Sequence, residues 1–220
     1  MSSPALRSSA EGQARSAPWV DTVAAILLAL AAVATAWSSY QASRWTGEQA
    51  KMFSAANASR VESTKASNLA SAQTEVDIAV FTQWVDAYLG KDNTLASFYQ
   101  QRFRDEFVPA FRAWRQTDPF HNPSAPESPF AMPEYVLAAG QQAEQLDATA
   151  NAESETARVY VQRATNYVLG VVLFAVALFF AGISTRLPRP GLRLAILSTG
   201  IAVFALAAIW IATFPISFSV

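Results

Sequence analysis

Cysteine is absent from the 220 residues of the chain, which excludes disulfides, thiol nucleophiles and cysteine-ligated metals. The only histidine, His121, has no cysteine and no carboxylate cluster around it, so it makes neither a metal site nor a credible general base. The eight glycines are scattered singly, and no glycine-rich phosphate loop is present. We therefore predict a protein that is not an enzyme and that carries no metal and no cofactor.

Charged residues are also scarce. The chain has 16 Lys and Arg and 17 Asp and Glu, or 15% of its residues, against roughly 25% in ordinary soluble domains. Of these charges, 26 fall between Arg44 and Arg163, whereas residues 22–43, 164–185 and 194–220 contain none. The net charge of −1 also lacks the basic surplus of a nucleic-acid-binding protein. These observations exclude a soluble globular protein and a nucleic-acid partner.

Each charge-free window is long enough to cross a lipid bilayer. About 20 apolar residues, at a rise of about 1.5 Å each, span the roughly 30 Å hydrocarbon core. We predict membrane helices over residues 19–40, 166–185 and 194–214.

The end of the first membrane helix carries aromatic residues that are typical of a membrane interface. Trp37, Tyr40 and Trp45 are interpreted as interfacial anchors. The same window also fits a signal peptide, because residues 34–36 read Ala-Thr-Ala, a small-x-small cleavage pattern. The helical pattern continues past this motif, which favours an uncleaved helix. Cleavage remains the alternative.

Arginines near the membrane ends predict the orientation. The loop 186–193 holds three arginines in eight residues, and two more lie in the tail 1–18, which we predict to be disordered. Such clusters favour the cytoplasmic side of a membrane. We therefore expect the tail and this loop in the cytoplasm, and residues 41–165 and the short tail 215–220 outside.

Residues 41–165, which we call the stalk, are predicted to be helical. From Trp19 to Leu89 there is no proline and a single glycine, so the first membrane helix can continue into the stalk. Small and apolar residues recur there at alternating spacings of three and four, which is typical of a coiled-coil seam. The members of this seam are Ala55, Ala58, Glu62, Lys65, Leu69, Ala72, Val76 and Ala79.

The rest of the stalk is predicted to fold back toward the membrane. Turn residues at 90–93 end the first helix, and a second helix is expected over 94–115 with a kink at Pro109. A proline-rich loop, 118–133, leads to a third helix that begins at Glu134 and runs into the second membrane helix. The predicted fold class is all-α, with three transmembrane helices and a long extramembrane helical hairpin or three-helix stalk.

The third stalk helix has a seam of its own, with Glu153 at a position that otherwise takes apolar residues. Counting outward from the membrane on both helices places Glu153 near residue 53, so we predict that it pairs with Lys51 and fixes the helix register. A ligand or proton site at Glu153 is the alternative. The seam members are Val136, Ala139, Ala143, Leu146, Ala150, Glu153, Ala157, Tyr160, Ala164, Tyr167, Val171 and Phe174.

Two further patterns concern packing. In the first membrane helix Ala25, Ala29, Ala32 and Ala36 recur at spacings of three and four. Small residues let membrane helices approach closely, so this face is predicted to pack on the other two helices or on another subunit, unless alanine is apolar filler. In the second stalk helix a stripe of aromatic side chains is interpreted as core, with a docking face as the alternative. It consists of Tyr99, Phe103, Phe107, Phe111 and Trp114.

Residues 34–42 (ATAWSSYQA), continued by residues 45–50 (WTGEQA), resemble segments of uncharacterised bacterial inner-membrane proteins. Those proteins have one membrane helix, a polar helical insert and a closing membrane hairpin. The resemblance covers about 17 residues and the layout. It implies a multi-pass protein of the bacterial inner membrane, and it brings no activity.

The function predicted from these features is that of a membrane-anchored scaffold or accessory subunit that acts through its stalk. Its expected partners are the lipid bilayer and either further copies of the chain or another membrane or envelope protein. The first alternative is a subunit of an oligomeric channel or mechanosensitive pore. A sensor of the cell exterior, coupled to a separate output partner, is the second.

The absence of cysteine allows a direct test of the predicted orientation. If the stalk lies outside, Ser97→Cys reacts with a membrane-impermeant maleimide in spheroplasts and stays unlabelled in inverted inner-membrane vesicles, because the reagent cannot cross the bilayer. A gel shift after labelling measures the reaction. The opposite labelling pattern would show that the orientation is inverted.

Overall fold

The computed structural model describes residues 18–217, so the predicted tail 1–18, apart from Pro18, and residues 218–220 of the second tail lie outside the described part. Helices and no strands are found in the described range, which confirms the all-α class. The helices are α1 (Pro18–Leu89), α2 (Asn93–Gln100), α3 (Val108–Gln116), α4 (Ala138–Ser184) and α5 (Pro190–Ala212), with a 3₁₀ turn at Pro129–Ala131.

The described chain divides into two compact units. The insert unit comprises residues 52–155, and the span unit comprises residues 18–51 together with 156–217. Three helices, α1, α4 and α5, are long and apolar enough to cross a membrane. They contain the three windows in which the sequence predicted membrane helices.

Helix α5 begins at Pro190 rather than at the predicted Leu194. Proline is well tolerated in the first helical turn, because the N–H group that it lacks has no partner within the helix there. Arg193 consequently lies in the first turn of α5, where it is buried and forms an ion pair with Asp21 of α1. The predicted loop 186–193 is correspondingly shorter.

One face of α1 packs within the span unit. Its buried positions again alternate by three and four, and they meet α4 and α5 in two apolar clusters, one around Leu197 and one around Tyr167 and Ile211. The buried residues of this face are Val20, Ala24, Leu27, Ala31, Ser38, Gln41, Ala42 and Trp45.

The predicted packing face of α1 is therefore corrected. Ala25, Ala29, Ala32 and Ala36 are all exposed, so they do not pack on the other two helices. Alanine occurs on several sides of this helix, but the larger side chains Val20, Leu27 and Trp45 lie on the side of Ala24. Burial of that side removes more apolar surface from water or lipid. The alternative of packing on another subunit stays a prediction.

The insert unit breaks the predicted second helix in two. Helix α2 ends at Gln100 and α3 begins at Val108, so Pro109 lies in the first turn of a helix instead of kinking one. The turn at 90–93 is present, with Lys91 in a left-handed conformation and the Asp92 carboxylate accepting the Leu95 N–H bond that caps α2. Helix α4 begins at Ala138, four residues after the predicted start.

The two predicted seams fare differently. On α4 most of the seam is packed, since Ala139, Ala143, Ala150 and Ala157 are buried, but Val136 is exposed and lies before the helix begins. On α1 the seam is wrong by one residue. Ala58, Leu69 and Val76 are exposed, whereas the residues that follow them, Ser59, Ala70 and Asp77, are half-buried or buried. A shift of one residue turns a helix face by about 100°. The buried members in the insert unit are Ala56, Ala66, Asp77, Phe81, Trp84 and Ala87.

The aromatic stripe forms core, as the sequence indicated. Phe107 is fully buried and stacks on Phe130 with ring centroids 5.1 Å apart, while Trp84 meets Phe111 edge to face at 4.8 Å. Such pairs add roughly 0.5–1.5 kcal/mol each beyond area burial. The buried members of the cluster are Phe81, Trp84, Ala87, Ala96, Phe103, Phe107, Phe111 and Trp114.

Close helix packing in the span unit depends on Gly170. A Cβ atom at Gly170 would collide with Ile211 of α5, whereas one at Gly182 would meet nothing within 4 Å. We expect Gly170→Ala to lower stability, because overpacking costs about 1–3 kcal/mol. Gly182→Ala is expected to be neutral or stabilising by up to about 1 kcal/mol through helix propensity. Thermal unfolding in detergent, followed by circular dichroism, compares the two. Equal melting temperatures would argue against the close approach.

Candidate functional site

The insert unit contains a buried network of polar side chains, which we call the Asp77 network. Three separate segments contribute to it: α1 provides Thr74 and Asp77, the link between α2 and α3 provides Arg104 and Glu106, and the segment before α4 provides Tyr135. Asp77 is buried, whereas the side chains of Arg104 and Glu106 are partly exposed.

The Asp77 carboxylate lies at the centre of this network and is only 2% exposed. Arg104 donates from Nη1 to Asp77 Oδ2 over 2.9 Å, and the Tyr135 hydroxyl donates to the same oxygen over 3.1 Å. The other guanidinium nitrogen of Arg104 pairs with Glu106. One guanidinium therefore bridges two carboxylates, an arrangement that the planar fork of arginine suits.

The network also holds the start of α4. Glu106 Oε1 accepts a hydrogen bond of 2.9 Å from the backbone N–H of Ala138, the first residue of that helix. A carboxylate at this position satisfies one of the free N–H groups and interacts favourably with the helix dipole. The Tyr135 hydroxyl lies 3.2 Å from Thr74 Oγ1 on α1. The network thus joins α1, the α2–α3 link and α4.

Burial is the main cause of the pKa shifts of Asp77 and Tyr135. Desolvation raises the pKa of Asp77 above its usual 3.8, while the hydrogen bond from Tyr135 and the charge of Arg104 oppose that rise. Desolvation likewise raises the pKa of the Tyr135 hydroxyl, which Asp77 raises further and Thr74 opposes. A carboxylate held in this way is occupied by its partners and is poorly placed to act as a general base.

A shallow hollow of about 520 Å³ lies beside the network, lined by Phe103, Arg104, Asp105 and Glu106. Over residues 18–217 no group of His, Cys, Asp and Glu has the arrangement that a metal ion requires. His121 is exposed and bonds to Asp118 across 2.9 Å. The Asp77 network is therefore a structural ion pair, and its Arg104 and Glu106 side borders the hollow.

The predicted register pair is replaced by other partners. Lys51 Nζ lies 2.9 Å from Glu48, three residues earlier on the same helix. Glu153 accepts a hydrogen bond of 3.0 Å from Ser59 Oγ on α1. The prediction placed Glu153 by counting residues from an assumed membrane boundary, and the observed contact with Ser59 lies almost two turns further along α1.

The predicted interfacial anchors separate into two groups. Trp37 and Tyr40 are exposed, with ring centroids 6.0 Å apart, and their anchoring role stays a prediction. Trp45 is 7% exposed and is a core residue instead. It packs against Tyr160 at 5.3 Å, and the Arg163 guanidinium lies 4.6 Å from its ring.

Sequence reasoning missed two polar residues in the span unit. Ser38 and Gln41 are fully buried on the packed face of α1, and Gln41 Oε1 accepts a bond of 3.1 Å from the backbone N–H of Ser217. Tyr167 on α4 donates to the carbonyl of Pro215 over 3.2 Å. Ser38 follows Ala24 and Ala31, and precedes Trp45, at spacings of seven residues, so this repeat could have predicted that Ser38 shares their face of α1.

Comparison with known proteins adds no relative: no family model, no curated protein and no solved structure matches this chain.

The ion pair between Asp77 and Arg104 can be tested by a double-mutant cycle. Arg104→Gln should destabilise the insert unit by about 3 kcal/mol, because it strands a buried carboxylate. Asp77→Asn in the Arg104→Gln background should recover part of that loss through coupling between the two sites. Denaturant unfolding of the full chain in detergent, followed by near-ultraviolet circular dichroism, measures each variant. Additive losses would contradict the pairing.

Comparing the stability of the wild type with that of Asp77→Asn at different pH values gives a second test. The folded-state pKa of Asp77 is raised, so the folded state binds more protons than the unfolded state between pH 3.8 and the raised pKa. Wild-type stability should therefore fall, relative to that of Asp77→Asn, as the pH rises through this window. A difference that stays constant with pH would contradict burial of an ionisable Asp77.

Proposed function

We propose that the chain is a multi-pass protein of the bacterial inner membrane that acts as a scaffold or accessory subunit and not as an enzyme. In this proposal residues 19–40, 166–185 and 194–214 cross the bilayer, and the stalk and the C-terminal side of α5 face outward. The observation that carries the proposal is the presence of three apolar helices of spanning length on either side of an insert with its own core.

The use of polar groups inside the insert unit supports a binding role rather than catalysis. Asp77, Arg104 and Tyr135 satisfy one another, and Glu106 caps a helix. Groups engaged in this way stabilise a fixed shape. A helical module that uses these groups to hold its own helices together suits protein–protein contact better than chemistry.

The exposed seam of α1 is the surface we assign to a partner. Leu69 and Val76 are 54% and 52% exposed, and they lie on one side of the helix with Ala58 and Ala72. Glu62 and Lys65 on the same side form an exposed ion pair at 2.7 Å. Apolar residues at spacings of three and four, with charges beside them, are typical of a helix that pairs with another helix.

A channel is a second candidate, because one observation favours it. Ala25, Ala29, Ala32 and Ala36 are exposed on α1, and small residues on a lipid-facing side favour close association between membrane helices. Several copies of α1 could then line a path. Ion flux in liposomes that is lost in Ala29→Leu would support this candidate over a scaffold.

The scaffold proposal predicts that the exposed seam controls assembly. We expect Leu69→Asp with Val76→Asp to lower the particle mass of the purified protein, because a charge in a helix interface is costly. Ile78→Asp is the matched control, since Ile78 is also exposed but lies on another side of α1. Light scattering in detergent measures the mass.

If the wild type is monomeric, a photo-crosslinking residue at position 69 should capture a discrete protein in whole cells, and one at position 78 should not. A monomer that forms no such adduct would contradict the proposal. Failure of the chain to float with liposomes would contradict membrane insertion itself.

A further inference from the structure

The span unit has an apolar groove between α4 and α5. Its volume is about 400 Å³, and almost all of its surface is apolar. The lining residues are Leu169, Leu173, Val203, Leu206, Ala207 and Trp210. The groove exists because Ala207, a small residue that is almost fully buried, separates larger side chains on the two helices.

The groove opens on the surface that would face lipid. Val168 and Val172 of α4 and Leu206 and Ile209 of α5 are all more than half exposed around it. If the helices cross the bilayer, as proposed above, hydrocarbon chains surround this surface. A groove in such a surface excludes water, so its natural occupant is apolar.

The groove is open toward the surroundings of the two helices. In a bilayer the apolar groups found there are the acyl chains of lipids, so a single chain can enter the groove from the side.

A polar rim adjoins the groove on α4. Gln162 and Asn166 precede Leu169 and Leu173 at spacings of seven residues, so each amide lies on the same side of the helix as a groove leucine. Gln162 Nε2 donates to Asn166 Oδ1 over 2.9 Å; Gln162 is exposed and Asn166 is half-buried. Two amides offer more donors and acceptors than this one bond uses.

We propose that the groove binds one acyl chain of a membrane phospholipid, whose ester and headgroup region hydrogen-bonds to Gln162 and Asn166. Along α4 the polar amide pair lies next to the apolar groove, just as the polar head of a phospholipid lies next to its acyl chain. The two amides are uncharged, so their contact is with the glycerol ester region common to phospholipids rather than with a particular headgroup charge. This inference rests on the membrane insertion proposed above.

Brominated lipids test the site, because bromine in an acyl chain quenches tryptophan fluorescence on contact. The full chain is placed in liposomes with a rising mole fraction of brominated phospholipid, and Trp210→Phe isolates the share of Trp210. Trp37, exposed on α1, is isolated in the same way as the reference for ordinary lipid contact. We expect half-maximal quenching of Trp210 at an about tenfold lower mole fraction, the shift that about 1.4 kcal/mol produces.

Two sets of variants separate the site from bulk contact. Val203→Phe fills the groove and should abolish the low-fraction quenching, whereas Ile201→Phe, exposed elsewhere on α5, should retain it. Gln162→Ala with Asn166→Ala changes no buried residue and should raise the half-maximal fraction toward that of Trp37.

Coincident curves for Trp210 and Trp37, or low-fraction quenching that survives all of these variants, would overturn the proposal. Absence of Trp210 quenching together with a lower particle mass in Val203→Phe would assign the groove to a second copy instead. A chain that does not float with liposomes removes the membrane assignment, which is a separate failure.

Discussion

The cost of placing a charged or unpaired polar group in hydrocarbon is the constraint on which the rest of the structure depends. A charge at the bilayer centre costs several kcal/mol, and every backbone amide there must be bonded within its own segment. The three windows without Asp, Glu, Lys or Arg meet both requirements, because each lies in a helix that is long and apolar enough to cross a membrane. The charged residues are concentrated between them, and where Arg193 does enter a helix it is paired with Asp21.

The insert unit solves the converse problem, because it must bury apolar surface without disulfides. It does so with a compact aromatic cluster around Phe107 and Trp84, and next to that cluster it buries one carboxylate, Asp77. The guanidinium of Arg104 offsets the desolvation of Asp77, and Glu106 extends the network to the first turn of α4. The polar groups of this network thereby hold helices together.

What remains exposed then defines how the protein can interact. The seam around Leu69 and Val76, the alanines from Ala25 to Ala36 and the groove at Trp210 are different surfaces, each apolar and each on a helix of spanning length. A helix seam suits another helix, whereas an apolar groove open to lipid suits a hydrocarbon chain. The proposed scaffold would use both kinds of surface, one to contact lipid and one to contact a partner.

The sequence by itself determined the helical class, the three apolar windows, the seam of α4 and the core role of the aromatic stripe, because each rests on strong contrast between charged, bulky and small residues. It did not determine which side of α1 is buried. Alanine and serine are spread around that helix, so its sides differ too little in hydrophobicity for the sequence to indicate which one packs. The packing partners decide: α4 and α5 in the span unit, and the α2–α3 link and the segment before α4 in the insert unit. As a result Asp77 is buried instead of Val76, and Ala24 instead of Ala25. The ion network depends on that choice of face, and the groove depends on the meeting of α4 and α5.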